Sequence, residues 1–254
     1  MITLCCIHVP GDREHNAMEE RLVRSYVANP PGVDHKTILI CQGGDADSEM
    51  LKSWSQLQCV TRFVRSGEGR DIGGYIDAAE AVDTDVMLCM GGNATVRRSG
   101  WMKRMEDAWL KHGPGFYGSL TSYQIRPHFN TSGFWLSPKL MMSYPHRVVT
   151  KDDRYEFEHG AGALWLRAHR QGLPTKLVTW DGEYDLPDWR IPPNISCRGD
   201  QSNCLTYFRV NYDFDHYCLH DPVSRNNLMY LTDAHILDPE FVHLREPLVN
   251  PKQP

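Results

Sequence analysis

The stretch GEGRDIGGYIDAAEAV, residues 67–82, puts a glycine-rich turn between a predicted strand and a predicted helix. Its apolar residues recur at the i, i+3, i+4, i+7 spacing of one helix face, which predicts an amphipathic helix over 71–82. A glycine-lined helix start beside Arg70 can hold a phosphate, because its backbone N–H groups and its dipole both favour an anion. Glycine also serves as a plain turn residue, so the rest of the chain has to decide between the two interpretations.

Strand and helix patterns alternate through the first half of the chain. Apolar runs predict strands at 2–9, 36–42, 59–64 and 85–90, and helical stripes predict helices at 15–29, 48–57, 71–82 and from Trp101 onward. This order predicts an α/β fold, with a mostly parallel central sheet and helices on both faces. Ligands of such sheets bind beyond the carboxyl ends of the strands. The loops at those ends, 8–12, 42–45, 66–74 and 91–95, are therefore expected to share one cleft.

The second half is less regular. Its patterns predict a strand at 129–137, a helix at 155–171 that ends at Gly172, and a strand at 175–180. Residues 190–254 are rich in Pro, Asn, Asp, His and Tyr, with little periodicity, and are expected to form an irregular C-terminal extension packed on the core.

Composition limits the class of protein. The chain has 254 residues, a net charge of −5 and a pI of about 6.2, which disfavours a general nucleic-acid-coating surface. No apolar run approaches the roughly 20 residues that span a bilayer, and the N-terminus lacks the features of a secretory signal. The cysteines of the first half sit within or beside apolar runs, as free buried thiols do. These features predict a cytoplasmic protein.

Two common nucleotide-binding motifs are excluded. A dinucleotide-binding Rossmann fold needs G-x-G-x-x-G after the first strand, where this chain has HVPGD at 8–12. The P-loop motif G-x4-G-K-[ST] is absent from the sequence.

Four segments together resemble another class. The chain resembles GT-A glycosyltransferases of the family-2 type, close to the rhamnan-synthesis group, over roughly residues 2–185. The matching segments are GRDIGGYIDAA (69–79), MLCMGGNATVRRSGWMKRMEDAW (87–109), TSGFWLSPKLM (131–141) and FEHGAGALWLRAHRQG (157–172). The resemblance implies a catalytic domain over 1–189, with a nucleotide-sugar-binding half at 1–118 and an acceptor half at 119–189. It implies transfer of a sugar from a nucleotide-diphosphate donor to the hydroxyl of a carbohydrate or other acceptor.

The same resemblance implies where the donor binds. The loop after the first strand would meet the nucleobase or ribose, and Arg70 would offer its planar donor fork to the diphosphate. The implied donor-binding residues are His8, Val9, Pro10, Asp12, Arg70, Asp71, Gly74, Gly91, Gly92 and Asn93.

The metal ligands of that class are not all present. GT-A enzymes usually carry Asp-x-Asp after the fourth strand to hold Mn²⁺ or Mg²⁺, where this chain has Gly91-Gly92-Asn93. The sequence Asp83-Thr84-Asp85 precedes that strand, and so is expected at the opposite end of the sheet. One alternative is that Asn93 binds a metal weakly, and the resemblance implies that His220 completes this site. The other is that no metal binds and positively charged side chains replace its charge. The candidate cations are Arg70, Arg97 and Arg98.

The resemblance also implies a catalytic base. It matches Glu158, expected at a helix start, to the carboxylate that deprotonates the acceptor in a single inverting displacement. The neighbouring His159 would orient this carboxylate or take the proton itself. His128, Asn130 and Trp135 are predicted to line the acceptor site, and Phe134 and Tyr123 are further candidates for stacking on a sugar.

Other functions remain open at this point. The missing Asp-x-Asp suits a non-catalytic nucleotide-sugar-binding protein of the same fold. A nucleotidyltransferase would share the sheet, but VPGD at 9–12 lacks its glycine-rich basic signature. A glycosyltransferase that modifies nucleic acid is disfavoured by the net charge of −5 without being excluded.

Overall fold

The computed structural model describes residues 1–122, 128–189 and 201–208. Its strands are β1 (Ile2–His8), β2 (His35–Gln42), β3 (Val60–Arg65), β4 (Val86–Met90), β5 (Ala94–Thr95), β6 (Phe116–Gly118), β7 (Thr121–Ser122), β8 (His128–Phe129), β9 (Phe134–Leu136), β10 (Thr175–Val178), β11 (Glu183–Tyr184) and β12 (Tyr207–Phe208). Its α-helices are α1 (Arg13–Ala28), α2 (Ser48–Trp54), α3 (Arg70–Ala78), α4 (Trp101–His112), α5 (Pro138–Met142), α6 (Lys151–His159) and α7 (Leu164–Arg170).

An eight-stranded sheet forms the centre of the molecule, in the order β11-β10-β6-β9-β4-β1-β2-β3. The strands β3, β2, β1 and β4 pair in parallel, as alternation of strand and helix requires. β9 runs antiparallel between β4 and β6, and β11 forms an antiparallel edge. The predicted α/β class with a mostly parallel sheet is confirmed.

Helices cover both faces of the sheet. Side chains of successive strand residues point to opposite faces, so Cys5 and Ile7 enter one core with α3, α5, α6 and α7. Leu4 and Cys6 enter the other core with α1, α2 and α4. The described part of the chain contains no helix long and apolar enough to cross a membrane.

The predicted helix over 155–171 is wrong, because the chain breaks it into α6 and α7. The carboxylate of Glu156 accepts a hydrogen bond from the backbone N–H of Gly162, six residues further along the chain, at 2.8 Å. Gly160 ends α6, and a Cβ at this position would overlap that same carboxylate. Glu158 therefore lies in the last turn of α6, and its predicted place at a helix start is also wrong. The helix start belongs to Thr150 and Asp153, which form a capping box.

The predicted strand over 129–137 is likewise interrupted. β8 ends at Phe129 and β9 begins at Phe134, with a loop at 130–133 between them. The N–H of Gly133 donates to the carbonyl of Cys89 at 2.8 Å, which places this loop at the carboxyl end of β4. An antiparallel strand thus delivers polar residues to the end of the sheet where ligands bind.

The described part of the C-terminal extension packs on the core. Tyr207 and Phe208 pair with β5, the short strand that follows Asn93 in the chain. Cys204 bridges to Thr179 at the end of β10. His220 and Tyr123 lie outside the described residues, as do most positions of the predicted extension.

Candidate active site

A cleft of about 850 Å³ opens at the carboxyl ends of β1, β2 and β4. It brings together the loop after β1, the glycine-rich turn before α3, and the turn after β4. Its lining comprises Ile7, Val9, Asp12, His15, Gln42, Gly67, Arg70, Asp71, Gly91, Gly92, Asn93, His128, Asn130, Thr131, Ser132, Arg154, Tyr155, Glu158, His159 and Phe208. Arg70 and Asn93 thus line one cavity, although 22 residues lie between them in the sequence.

The glycine-rich turn is built for a close backbone approach. Gly69 has φ of 71° and donates its N–H to the carbonyl of Val149 at 3.1 Å. A Cβ on Gly69 would overlap the carbonyl oxygen of Val148, so the turn needs glycine for packing. Arg70 itself has φ of 52° and is held by the Gln42 side chain, whose Nε2 donates to its carbonyl at 2.6 Å.

This turn leaves the Arg70 side chain at the cleft. The residue is exposed, and within the described ranges no ion pair or hydrogen bond engages its guanidinium. The glycines therefore meet a structural need and also present an unpaired cation to the cavity. A planar guanidinium in that position can bind two phosphate oxygens at once.

Asp71 joins the two sides of the cleft. Its Oδ1 lies 3.6 Å from Nη1 of Arg154, which is carried by α6. Both side chains are about three-quarters buried, at 22% and 24% exposure. This ion pair between partly buried groups ties α6 to the first turn of α3.

The turn after β4 is small and polar. A Cβ on Gly92 would lie 3.1 Å from Nε2 of His15, and one on Gly91 would lie 2.9 Å from Oγ of Ser132. Asn93 turns its amide oxygen inward, where no described residue donates to it. The two glycines therefore let His15 and Ser132 pack closely against the turn at the end of β4.

Three predicted donor-binding residues lie away from this lining. His8 is buried at the end of β1, with Nδ1 2.9 Å from Glu19. Gly74 faces the sheet, where a Cβ would lie 3.1 Å from Ile7 and 2.8 Å from Gln42. Pro10 packs near Gly44. His8 and Gly74 therefore face the interior and not the cleft, while ligand contact by Pro10 stays a prediction.

The predicted role of Trp135 is also wrong. Its ring is fully buried in the core that contains α4 and stacks on Tyr117 at 5.6 Å. Phe134, the other described aromatic candidate, is buried in the opposite core. β9 therefore contributes its rings to the two cores, and only the loop before it reaches the cleft.

The prediction that Arg97 or Arg98 replaces the charge of a metal ion in the cleft is also wrong. The guanidinium of Arg97 lies 3.5 Å from the ring centre of Tyr207. Arg98 donates to the carbonyl of Ser202 at 3.0 Å. Both side chains fasten the C-terminal segment, and neither lines the cleft.

Glu158 is the most buried carboxylate of the cleft lining, with its side chain 10% exposed. Oγ1 of Thr131 donates to it at 3.4 Å, and Nε2 of His128 lies 4.0 Å away. Burial raises the pKa of Glu158, against the opposing charge of Arg154. Its pKa therefore lies above that of an ordinary carboxylate, which suits a group that takes a proton.

His159 lies beside this carboxylate. Its ring is 5.4 Å from that of His128 and 5.3 Å from that of Tyr155, in a stacked arrangement with the latter. The positive charge that His159 can carry also lowers the pKa of Glu158. The two predicted catalytic residues therefore lie on the same side of the cleft as His128 and Asn130, whose Oδ1 accepts the N–H of Ser132 at 2.9 Å.

The sequence reasoning missed seven residues of the lining. They are Ile7, His15, Thr131, Ser132, Arg154, Tyr155 and Phe208. A signal existed for His15, because its partner Glu19 occupies a position of the buried stripe of α1 where an apolar residue is expected. Arg154 and Phe208 depend on tertiary packing and β12 pairing, which local patterns do not encode.

The described residues do not fit the metal site that the resembling class usually carries. They contain no group of three His, Cys, Asp or Glu side chains that could hold an ion. Asn93 offers one neutral amide oxygen, a poor sole ligand for a hard dication. Asp83 pairs with Lys36 at 2.5 Å, and Asp85 lies 3.8 Å from the N-terminus, at the opposite end of the sheet as expected.

Comparison with known proteins gives distant likenesses. No protein-family model matches the chain, and none of the curated proteins matches it. HddC from Yersinia pseudotuberculosis is 14% identical over 63% of this chain and 85% of its own, with a TM-score of 0.45. The mannosyltransferase PcManGT from Pyrobaculum calidifontis, in complex with GDP-Man and Mn²⁺, is 8% identical over 55% of this chain and 45% of its own, with a TM-score of 0.44. TarS from S. aureus, in complex with UDP, is 8% identical over 60% of this chain and 52% of its own, with a TM-score of 0.43. Likenesses this distant assign no substrate, metal or activity to this chain.

Proposed function

We propose that this chain is a GT-A-type glycosyltransferase, which transfers a sugar from a nucleotide-diphosphate donor to an acceptor hydroxyl with inversion. The observation that carries the proposal is that an exposed cation, Arg70, which no described residue pairs with, and a buried carboxylate, Glu158, face the same cleft at the carboxyl ends of the strands. The order of the four sequence segments that resemble this class supports the same reading.

The donor occupies the side formed by the loops after β1, β3 and β4. Arg70 and the turn at 91–93 contact the diphosphate, and the loop containing Val9 and Asp12 contacts the nucleoside. A guanidinium is a good partner for a diphosphate because its fork of N–H donors matches two oxygens. The small residues of the turn after β4 let the backbone approach the phosphates closely.

The acceptor occupies the side formed by α6 and the loop at 130–133. Its hydroxyl oxygen attacks the anomeric carbon while the bond from that carbon to the phosphate oxygen breaks. The bonding electron pair leaves with the diphosphate, and the hydroxyl proton passes to Glu158. Attack from the face opposite the leaving group inverts the anomeric centre in one displacement. Thr131 holds the carboxylate, and His128 and His159 lie beside it to orient the acceptor.

A non-catalytic nucleotide-sugar-binding protein is the second candidate, favoured because the described residues contain no group of three His, Cys, Asp or Glu side chains that could hold a metal ion. The buried carboxylate of Glu158 in the cleft supports the enzyme over the binder, because desolvation makes such a group unfavourable and a binder has no use for a base there. Transfer to nucleic acid is a further acceptor class, to be included in the assay. A cytoplasmic setting is part of the proposal, supported by the free buried thiols of Cys5, Cys6, Cys41 and Cys89.

The deciding experiment is a thermal-shift screen of UDP, GDP, CMP and dTDP sugars, each with and without Mn²⁺. Stabilisation by one nucleotide class supports the donor site, and release of the nucleoside diphosphate from that donor separates an enzyme from a binder. Stabilisation by none of these donors would contradict the proposal.

A further inference from the structure

A fully buried carboxylate lies directly beneath the cleft, and the proposed reaction leaves it without a role. Glu19 on α1 is 0% exposed and accepts hydrogen bonds from Nε1 of Trp54 at 3.1 Å and from Nδ1 of His8 at 2.9 Å. His15 lies one turn earlier on the same helix, with Nε2 3.3 Å from the Oε1 of Glu19. A carboxylate removed from water needs such partners, so this cluster costs stability that a plain apolar residue would not.

Of these partners, His15 is the one that reaches the cleft. Its side chain is 21% exposed and forms part of the lining, while Glu19 and His8 are closed off from solvent. The Nε2 edge of the ring lies beside both Glu19 and Gly92, and the residue belongs to the cleft lining. His15 is thus fixed beside the turn after β4 by a group that no ligand touches.

The negative charge of a diphosphate bound beside the turn after β4 would need positive charge to offset it. A diphosphate carries several negative charges, and the described residues next to Asn93 do not fit a metal ion that would offset them. Arg70 supplies one cation from the loop after β3. A second positive group on the first turn of α1, across the cleft lining from Arg70, would hold the diphosphate between them.

We infer that His15, oriented by Glu19, is a phosphate-binding residue that supplies this second positive group. The inference rests on the proposed function for the identity of its ligand, a nucleoside diphosphate. The carboxylate of Glu19 lies within ion-pair distance of Nε2 of His15, at 3.3 Å, and that nitrogen has no hydrogen-bond partner among the described residues. Attraction by Glu19 thus holds the ring from one side, and a phosphate oxygen at the other nitrogen would place the protonated ring between two anions.

Inorganic pyrophosphate tests the inference without knowledge of the base or sugar. Its dissociation constant is measured by calorimetry on the full chain, for the wild type and for His15→Ala, Arg70→Ala and His146→Ala. His146 is an exposed histidine outside the cleft and serves as the matched control. Binding about tenfold weaker in His15→Ala, as in Arg70→Ala, with His146→Ala unchanged, is expected. An unaltered constant in His15→Ala would overturn the inference.

Glu19→Gln separates a positioning role from simple electrostatics. If Glu19 were only a nearby negative charge, its removal would strengthen pyrophosphate binding, because like charges repel. If it orients His15, its removal weakens binding even though Glu19 touches no ligand. Circular dichroism first checks that this buried variant folds; if it does not, His15→Gln, altered at a partly exposed ring, replaces it. His15→Gln keeps an N–H donor without the charge and is expected to bind between the wild type and His15→Ala.

These experiments distinguish failure of the role proposed for His15 from failure of the proposed glycosyltransferase function. Pyrophosphate binding that depends on His15, in a protein that binds none of the nucleotide sugars, would keep the phosphate site and remove the glycosyltransferase. Sugar transfer that persists unchanged in His15→Ala, with unchanged pyrophosphate affinity, would keep the glycosyltransferase and remove this role of His15.

Discussion

Arg154 lies with its Nη1 3.6 Å from Oδ1 of Asp71, and so ties the helix that carries Glu158 to the glycine-rich turn before α3. The two charges act on Glu158 in opposite directions, since Arg154 lowers its pKa and Asp71 raises it. Burial is the larger influence and leaves the pKa raised. A donor anion bound at Arg70 would add negative charge to the same cleft and raise that pKa further.

Glu158→Gln is expected to abolish most of the turnover while donor binding persists. The amide is close in size to the carboxylate but cannot accept the acceptor proton, and loss of a general base costs about 10²–10⁴-fold in rate. The measurement is turnover number and donor affinity side by side. Asp152→Asn, an exposed carboxylate on the first turn of the same helix, is the control and should keep wild-type turnover. Equal turnover in wild type and Glu158→Gln would remove Glu158 as the base.

The same variant is expected to be more stable than the wild type at neutral pH. A raised carboxyl pKa means that the folded state holds a proton more tightly than the unfolded chain does, so the wild type loses stability as pH rises above about 4.3. Gln carries no charge to desolvate at any pH. Urea unfolding of both proteins between pH 4 and pH 8 should show the gap widening as pH increases. A gap that is constant over this range would mean that Glu158 titrates alike in both states.

The first four strands could be predicted because their signals are local. Each is a short apolar run, and the alternation with helical stripes fixes parallel pairing without knowledge of the remaining chain. The second half could not, since β9 enters between β4 and β6 through tertiary hydrogen bonds such as that from Gly133 to Cys89. The break after α6 depends on the side chain of Glu156 reaching Gly162, which helix periodicity does not register.

The candidate site was predictable to a similar degree. Residues of glycine-rich turns at strand ends, such as Arg70 and Asn93, follow from topology alone. Trp135 was misassigned because the alternation of a strand does not reveal whether its second face is also covered by helices. The buried face of α1 consists of Glu19, Leu22, Val23 and Tyr26, so a charged residue occupies a position in the apolar stripe. A charged residue in a buried stripe was the missed indication of the His15 cluster.

Gly69→Ala is expected to destabilise the fold strongly. Its positive φ alone costs about 1–2 kcal/mol for a residue with a Cβ, and overlap with the carbonyl of Val148 adds about 1–3 kcal/mol of strain. Gly172→Ala is the control, since it has a similar φ of 74° with open space around it and should lose only the backbone part. The free energy of unfolding in urea measures both. Equal losses in the two variants would show that the contact with Val148 does not constrain Gly69.

Glu183 is expected to stabilise the edge of the sheet through an ionic cluster that is sensitive to acid. Its carboxylate is 11% exposed and accepts from Lys111 at 2.7 Å, His112 at 2.6 Å and Arg104 at 2.7 Å, which joins α4 to β11. Burial pushes the pKa of Glu183 upward, but these three partners outweigh it and lower the pKa to about 2. A lowered carboxyl pKa stabilises the folded state above about pH 4.3, and this contribution is lost as pH falls towards 2.

Glu183→Gln should therefore lower the free energy of unfolding by about 2 kcal/mol at pH 7. This figure is smaller than the full pKa shift would give, because solvent screens the charge of the exposed Lys111. The difference from the wild type should shrink between pH 4.5 and pH 3, where the unfolded wild-type chain takes up the proton. Urea unfolding at pH 7, 4.5 and 3 measures it, with Asp107→Asn as the control, because that carboxylate pairs only with Lys103 on the exposed face of α4 among the described residues. A cost that stays the same from pH 7 to pH 3 would mean that packing around Glu183, and not its charge, holds α4 against β11.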